Sequence, residues 1–349
     1  MNRKRIRDYG VKIGKYRPGA RNKITDVPGV TVGHYTVDDA RHKTGVTVII
    51  PAEGNLFTHK LTAAAHVING FGKTCGTVQV QELGTLETPI ALTNTLNVGK
   101  AADALVGYTV EMCERDGVPC RSVNPVVGET NDSGLNDITD RCIGEAEVKA
   151  AIAAACLDFD EGDVGAGKGT VCFGLKGGIG SSSRVLTIDG KEYTVGALVQ
   201  SNFGVTSDLM IAGVPVGRRI AEQMKQDAAG CDKGSIMIVI GTDIPLTELQ
   251  LNRVLRHAVV GLARTGSYVG HGSGDVVLGF TTANRREPDD GTIREIRAIP
   301  DSIIDCVFRG TAESVEEAVL NSLTAADAVT GYTGKIRRSL NEFLPQLLD

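Results

Sequence analysis

Asp189-Gly190 stands between two runs rich in β-branched residues, "SSRVLTI" at 182–188 and "YTVGALVQSN" at 193–202. An Asp-Gly pair readily adopts the backbone of a two-residue hairpin turn, so the two runs are predicted to pair antiparallel. This pair restricts the whole chain, because a Rossmann-type alternation joins parallel strands through helices instead. Further strands are predicted at 45–50, 169–176, 235–241 and 275–282. Helices are predicted at 59–69, 98–113, 145–157, 247–264 and 314–329. Thr247-x-x-Gln250 and Ser314-x-x-Glu317 both fit the capping box, in which side chains satisfy free amides of the first helical turn. The stripe Leu249, Val254, Leu255, Ala258, Val259 and Leu262 recurs at helical spacing and is read as core, which makes Arg256 and His257 structural or surface residues. No long Pro- or Ser-rich linker divides the 349 residues. The expectation is one α/β (α+β) domain, residues 1–349, with helices covering a mixed or largely antiparallel sheet system.

Composition excludes several function classes. A net charge of −5 argues against a general nucleic-acid surface. The basic start "MNRKRIRDYGVKIGKYR" lacks the apolar segment of a secretory signal and is predicted to be an exposed arm. There is no run of 18 apolar residues, so no membrane span is expected. The eight cysteines form no C-x-x-C pair, which fits reduced, buried thiols in a cytoplasmic protein. The six histidines are scattered without an H-E-x-x-H, so no metal site is expected.

Three motifs fail on inspection. "GDVGAGKGT" at 162–170 mimics a phosphate loop, but Gly169 stands where a hydroxyl should bind Mg²⁺, and a β-like run follows in place of a helix. No G-x-S-x-G elbow occurs. His271, Ser273 and Asp275 share one loop, which hardly permits the relay geometry of a serine triad.

The motif that survives is Gly234-Ser235, placed directly before the apolar run Ile236 to Ile240. A serine hydroxyl needs a base to become a nucleophile. If the serine is the first residue of a chain, its own α-amine, with a pKa near ~8, can act as that base. An internal serine reaches this state by attacking the preceding carbonyl, passing through an ester, and letting water cut it. A glycine at that carbonyl tolerates the strained backbone the attack requires, and a rigid strand fixes the aim of the serine. Gly-Ser before a strand is also a common turn pattern, so local chemistry alone leaves both uses open.

Longer stretches decide between them by resemblance. "GSIMIVIGTDIPL", "HAVVGLARTGSY" and "HGSGDVVLGFTTAN" resemble the β-subunit start of the DmpA-type L-aminopeptidase/D-esterase family, also called β-peptidyl aminopeptidases. Upstream, "NKITDVPGVTVGHYTV", "ETPIALTNTLNVG", "NPVVGETND" and "GKGTVCFGLKGGIGSSSRV" continue the similarity in family order over nearly the whole chain. The resemblance implies an N-terminal-nucleophile-type hydrolase with a four-layer αββα sandwich, a fold shared with ornithine acetyltransferases. It implies self-cleavage between Gly234 and Ser235 into an α chain, 1–234, and a β chain, 235–349. It further implies that Ser235 is the nucleophile, that Ser273 and Asp275 orient it and its amine, and that Asn202 supplies the oxyanion hole. Glu129 is the candidate grip for the substrate's ammonium, with Asp132 as competitor. The family commonly carries a tyrosine where this chain has Gly134, so the pocket is expected to be wider there. The expected substrate is a small peptide, amide or ester, without cofactor, and the expected assembly is a tetramer of αβ units. Acyl transfer remains an alternative, although relatives of that type typically use threonine. A non-catalytic binding protein on the same fold is a third possibility.

Overall fold

A computed structural model describes residues 3–225, 234–288 and 290–347. Strands β1 (Thr31–Asp38), β2 (Lys43–Ile50), β5 (Ile90–Asn94) and β6 (Val126–Thr130) form a sheet in the order β1-β2-β5-β6. A second sheet runs β4-β3-β12-β11-β10-β9. Its strands are β3 (Lys60–Gly70), β4 (Thr85–Leu86), β9 (Gly178–Ile188), β10 (Lys191–Asn202), β11 (Ser235–Thr242) and β12 (Gly274–Arg286). A two-residue-per-strand hairpin, β7 (Val171–Cys172) and β8 (Leu175–Lys176), lies beside it. The helices are α1 (Thr77–Leu83), α2 (Val98–Arg115), α3 (Glu145–Ala153), α4 (Gly217–Gln223), α5 (Glu248–Arg256), α6 (Ala258–Arg264) and α7 (Asp305–Thr324).

Side-chain alternation along the strands builds three apolar layers, hence four layers of structure. On β11, Ile236, Ile238 and Ile240 face the core shared with α5, α6 and α7, whereas Met237 and Val239 face the opposite sheet. Strand β2 shows the same period of two, with Val46 and Val48 toward α2 and α3 and Ile49 toward the second sheet. The stacking is helices, sheet, sheet, helices, as the resemblance implied. Gly128 on β6 lets the sheets close here, because a Cβ would lie 2.5 Å from Met237 Cε on β11.

The Asp189-Gly190 turn joins β9 and β10 with positive φ at both residues (49° and 70°), and the strands pair antiparallel as expected. Thr247 caps α5 through Gln250 N–H at 3.2 Å. Other expectations need correction. The helix expected at 59–69 is instead strand β3 (Lys60–Gly70): the Ala-rich run lies between β12 and β4 with its alanines buried on both faces. Sheet pairing overrides a helical propensity that only local sequence would favour. Helix α7 begins nine residues before Ser314, which is buried in mid-helix, and Glu317 there pairs with Arg184 and Arg7 instead of capping. The expected helix at 247–264 is interrupted at His257, which stacks on Phe308 at 3.7 Å. The expected strand at 169–176 is the small β7–β8 hairpin, and α3 is shorter than predicted. The basic N-terminus is no free arm: Arg3, Arg5 and Arg7 pair with Asp163, Glu161 and Glu317. Of the seven described cysteines only Cys113 and Cys172 are buried, which departs from the expectation for most of them; Cys231 lies outside the described residues. No helix is long and apolar enough to cross a membrane among the described residues.

Candidate active site

Ser235 is the first residue of β11, at the end of a strand held on both sides. It pairs with Asn202 of β10 in antiparallel register and with Gly274 of β12 in parallel register. One backbone donor therefore reaches two acceptors. Gly274 N–H points to the Gly234 carbonyl oxygen at 3.3 Å and to Ser235 Oγ at 3.2 Å. The bond preceding Ser235 and the hydroxyl that could attack it share a single hydrogen-bond donor. By strand alternation Ser235 lies on the same side of β11 as Met237 and Val239, the side facing the other sheet.

Glycine is required at 234 and 274 by close packing. A Cβ on Gly234 would lie 2.1 Å from Asn202 O and 2.3 Å from Phe203 Cα. A Cβ on Gly274 would lie 2.8 Å from Phe71 O and 2.9 Å from Gly72 Cα. Neither glycine has positive φ, so in the uncut chain the demand at 234 is for room.

The remaining candidates divide into two groups. Asp275 lies on β12 beside Ser235 and Ser273 immediately precedes that strand; both are buried, and Ser273 Oγ donates to Asp275 Oδ1 at 2.6 Å. Asn202 lies across from Ser235; its Oδ1 accepts Val171 N–H at 2.9 Å, while its Nδ2 makes no hydrogen bond among the described residues. Glu129, next to last on β6, is buried, with Oε1 accepting Lys73 N–H at 2.9 Å and Oε2 accepting the Thr95 hydroxyl. Gly72 links Glu129 to the start of β12, the strand beside Ser235, since a Cβ there would be 3.6 Å from Glu129 Oε1 and 3.7 Å from Gly274 Cα.

Asp132 belongs to a different cluster. Its oxygens accept from Thr44 Oγ1 at 2.5 Å and Asn136 Nδ2 at 3.0 Å, and burial pushes its carboxyl up to about 6 against those bonds. Glu129 is thus near the Gly72–Lys73 segment that packs on Gly274, whereas Asp132 is bonded to Thr44 and Asn136. Gly134 is exposed, with nothing within 4 Å of the Cβ it lacks. His271 is exposed, and Lys168 of the failed phosphate loop is tied to Asp38 and Asp163. No group of three or more potential metal ligands occurs among the described residues.

Sequence reasoning missed the segment that joins these parts. Asn69, at the end of β3, donates to the carbonyls of Gly270, His271 and Ser273, and Phe71 N–H also reaches Ser273 O at 3.2 Å. Reading 59–69 as a helix hid this clamp. The strand-ending "NGFG" was the signal available, since glycines past an alternating run mark close backbone approach.

The signature of peptidase family S58 matches residues 22–337. The beta-peptidyl aminopeptidase BapA of Sphingosinicella xenopeptidilytica is 40% identical, over 94% of this chain and 86% of its own. A beta-aminopeptidase from a Burkholderia species is 40% identical with a TM-score of 0.90, covering 99% of this chain and 98% of its own. The L-aminopeptidase D-Ala-esterase/amidase of Ochrobactrum anthropi, described as a prototype serine aminopeptidase and a variant of the Ntn-hydrolase fold, gives a TM-score of 0.91. It is 33% identical and covers 99% of this chain and 97% of its own.

Proposed function

The chain belongs to peptidase family S58 and is a hydrolase of the aminopeptidase class on the Ntn-hydrolase fold, and we propose that Ser235 is its nucleophile and creates its own N-terminus. The supporting observation is the shared donor: Gly274 N–H lies 3.3 Å from the Gly234 carbonyl oxygen and 3.2 Å from Ser235 Oγ. Ser235 Oγ attacks the Gly234 carbonyl carbon, and Gly274 N–H stabilises the oxyanion that forms. The C–N bond breaks, the nitrogen takes a proton to become the Ser235 α-amine, and Gly234 is left as an ester on Oγ. Water hydrolyses the ester, leaving chains 1–234 and 235–349 as one catalytic domain.

In the cut enzyme the α-amine takes the Oγ proton as Oγ attacks the substrate carbonyl, then passes it to the departing amine. Asn202 Nδ2 donates to the tetrahedral oxyanion, and Ser273 with Asp275 holds the amine and hydroxyl in line. Glu129 pairs with the substrate's free ammonium, whose burial without a counter-charge would be costly. Asp132 supports the loop that carries Gly134, and the open space at Gly134 widens the substrate entrance. Small peptides, amides or esters with a free N-terminus are the proposed substrates, with no metal or organic cofactor. Assembly of αβ units and a cytoplasmic, reducing location complete the proposal. Acyl transfer and mere binding are not favoured, because the named relatives are aminopeptidases.

Intact mass spectrometry of wild type against Ser235→Ala tests this. Wild type should give two chains, the second starting at Ser235, and the variant one uncut, inactive chain. A wild-type protein that remains whole and still hydrolyses peptide amides would overturn the mechanism.

A further inference from the structure

Lys176 is fully buried and forms no ion pair among the described residues. Its ammonium donates to three backbone carbonyls, Gly167 at 2.8 Å, Thr170 at 2.9 Å and Gly177 at 2.6 Å, which uses all three protons. Burial pushes it down to about 7, and the attraction of Asp163 offsets only part of that penalty. An apolar side chain in this space would avoid the penalty, so the ammonium calls for a reason beyond packing.

The carbonyl cage supplies one. Gly167 and Thr170 bound a loop whose next residue, Val171, donates its N–H to Asn202 Oδ1 at 2.9 Å. Gly177 packs on the residue before Asn202, since a Cβ there would be 2.5 Å from Ser201 O. Phe173 N–H donates to Phe203 O, just after Asn202, at 2.6 Å. The hairpin β7–β8 thus holds the end of β10 on both sides of Asn202, and Lys176 pins its two ends together. A side-chain amide can rotate to exchange its oxygen and nitrogen. The bond from Val171 selects the orientation that leaves Nδ2 as the donor.

We propose that Lys176 is a positioning residue for Asn202, holding the Gly167–Val171 segment so that Val171 N–H fixes the Asn202 amide with Nδ2 presented to the oxyanion. The inference rests on the oxyanion role proposed for Asn202, and the experiment separates the two. The variants Lys176→Met, Lys176→Gln and Asn202→Ala, and the double variant Lys176→Met/Asn202→Ala, are purified and allowed to process. Cut Ser235 is counted by intact mass, and kcat and KM per cut site are measured on a small peptide amide.

Asn202→Ala should lower kcat about 10²–10³-fold. Lys176→Met should lower kcat by roughly 10–100-fold with KM nearly unchanged. Lys176→Gln, which keeps two donors, should fall between Lys176→Met and wild type. The double variant should be no slower than Asn202→Ala alone, because the amide to be positioned is gone. Multiplying losses in the double variant, or an unchanged kcat in Lys176→Met, would overturn the positioning role while leaving Asn202 as oxyanion donor. If Asn202→Ala keeps wild-type kcat, the oxyanion role itself fails and the inference falls with it. Should Lys176→Met not fold, Lys176→Gln carries the test: a loss in kcat that vanishes in the Asn202→Ala background supports the role, and its absence refutes it.

Discussion

On the proposed mechanism, Gly234→Ala should separate self-cleavage from catalysis. The added methyl would lie 2.1 Å from Asn202 O, 2.3 Å from Phe203 Cα and 2.8 Å from Asn202 C. All three atoms are backbone, and the strand ending at Asn202 is bonded to β9 on one side and β11 on the other. It cannot recede, so the peptide before Ser235 must move by more than ~1 Å to turn the 2.1 Å approach into an ordinary contact. A displacement of that size from attack geometry costs roughly 10²-fold in rate. The Gly234 oxygen also leaves the Gly274 N–H that reaches it at 3.3 Å. Losing one such donor costs a further ~3 kcal/mol, about another 10²-fold. Processing should therefore slow by roughly 10²–10⁴-fold. Once the bond is cut, residue 234 ends a separate chain and no longer constrains Ser235. The assay is a time course of uncut chain by intact mass, with kcat measured per cut Ser235. Slow cutting with wild-type kcat per cut site is expected. Cutting at the wild-type rate would refute the steric argument, and an equal loss in both would show that Gly234 shapes the mature site as well.

Other perturbations test separate parts. Glu129→Gln should raise KM for substrates with a free ammonium at least ~10-fold with a smaller change in kcat, because a charge-assisted pair is replaced by a neutral contact; steady-state kinetics on a dipeptide amide decide. Asp132 has its folded pKa raised from 3.8 to about 6 by burial, so its stabilising term is complete below about 4 and is lost as pH rises through 6. Relative to wild type, Asp132→Asn should gain up to about 3 kcal/mol between pH 4 and pH 7, read from urea unfolding at each pH; a flat difference would contradict the raised pKa. Gly180→Ala should destabilise by about 3 kcal/mol or more, since its Cβ would meet Ala318 O at 2.0 Å and Ser322 N at 2.5 Å where β9 packs on α7. A thermal melt within a degree of wild type would contradict that close approach.

Much of the proposed site was legible because the contacts between its members span only a few residues. Ser235 opens an apolar strand, Ser273 and Asp275 stand two apart at the start of another, and Asn202 ends a third. A bond such as Ser273 Oγ to Asp275 Oδ1 spans two residues, so a short motif can encode it. The Asp189-Gly190 hairpin and the Thr247 cap are local for the same reason.

Tertiary structure alone decided what depends on distant partners. "LTAAAHV" within 59–69 suits a helix on its own, and becomes strand β3 because β12, more than 200 residues away, offers it a ladder. Ser314-x-x-Glu317 satisfies a capping pattern, yet Glu317 is drawn to Arg184 and Arg7 in the interior. The different surroundings of Glu129 and Asp132 came only from folding, which sets Gly72 between Glu129 and Gly274 and gives Asp132 the Thr44 hydroxyl. The glycine at 234 was legible as a residue, but its reason was not: its crowding comes from Asn202 and Phe203, thirty residues earlier in the chain. Backbone conformation and hydrogen bonds between near neighbours leave a pattern in the sequence, whereas steric exclusion and burial are set by atoms that only folding brings together.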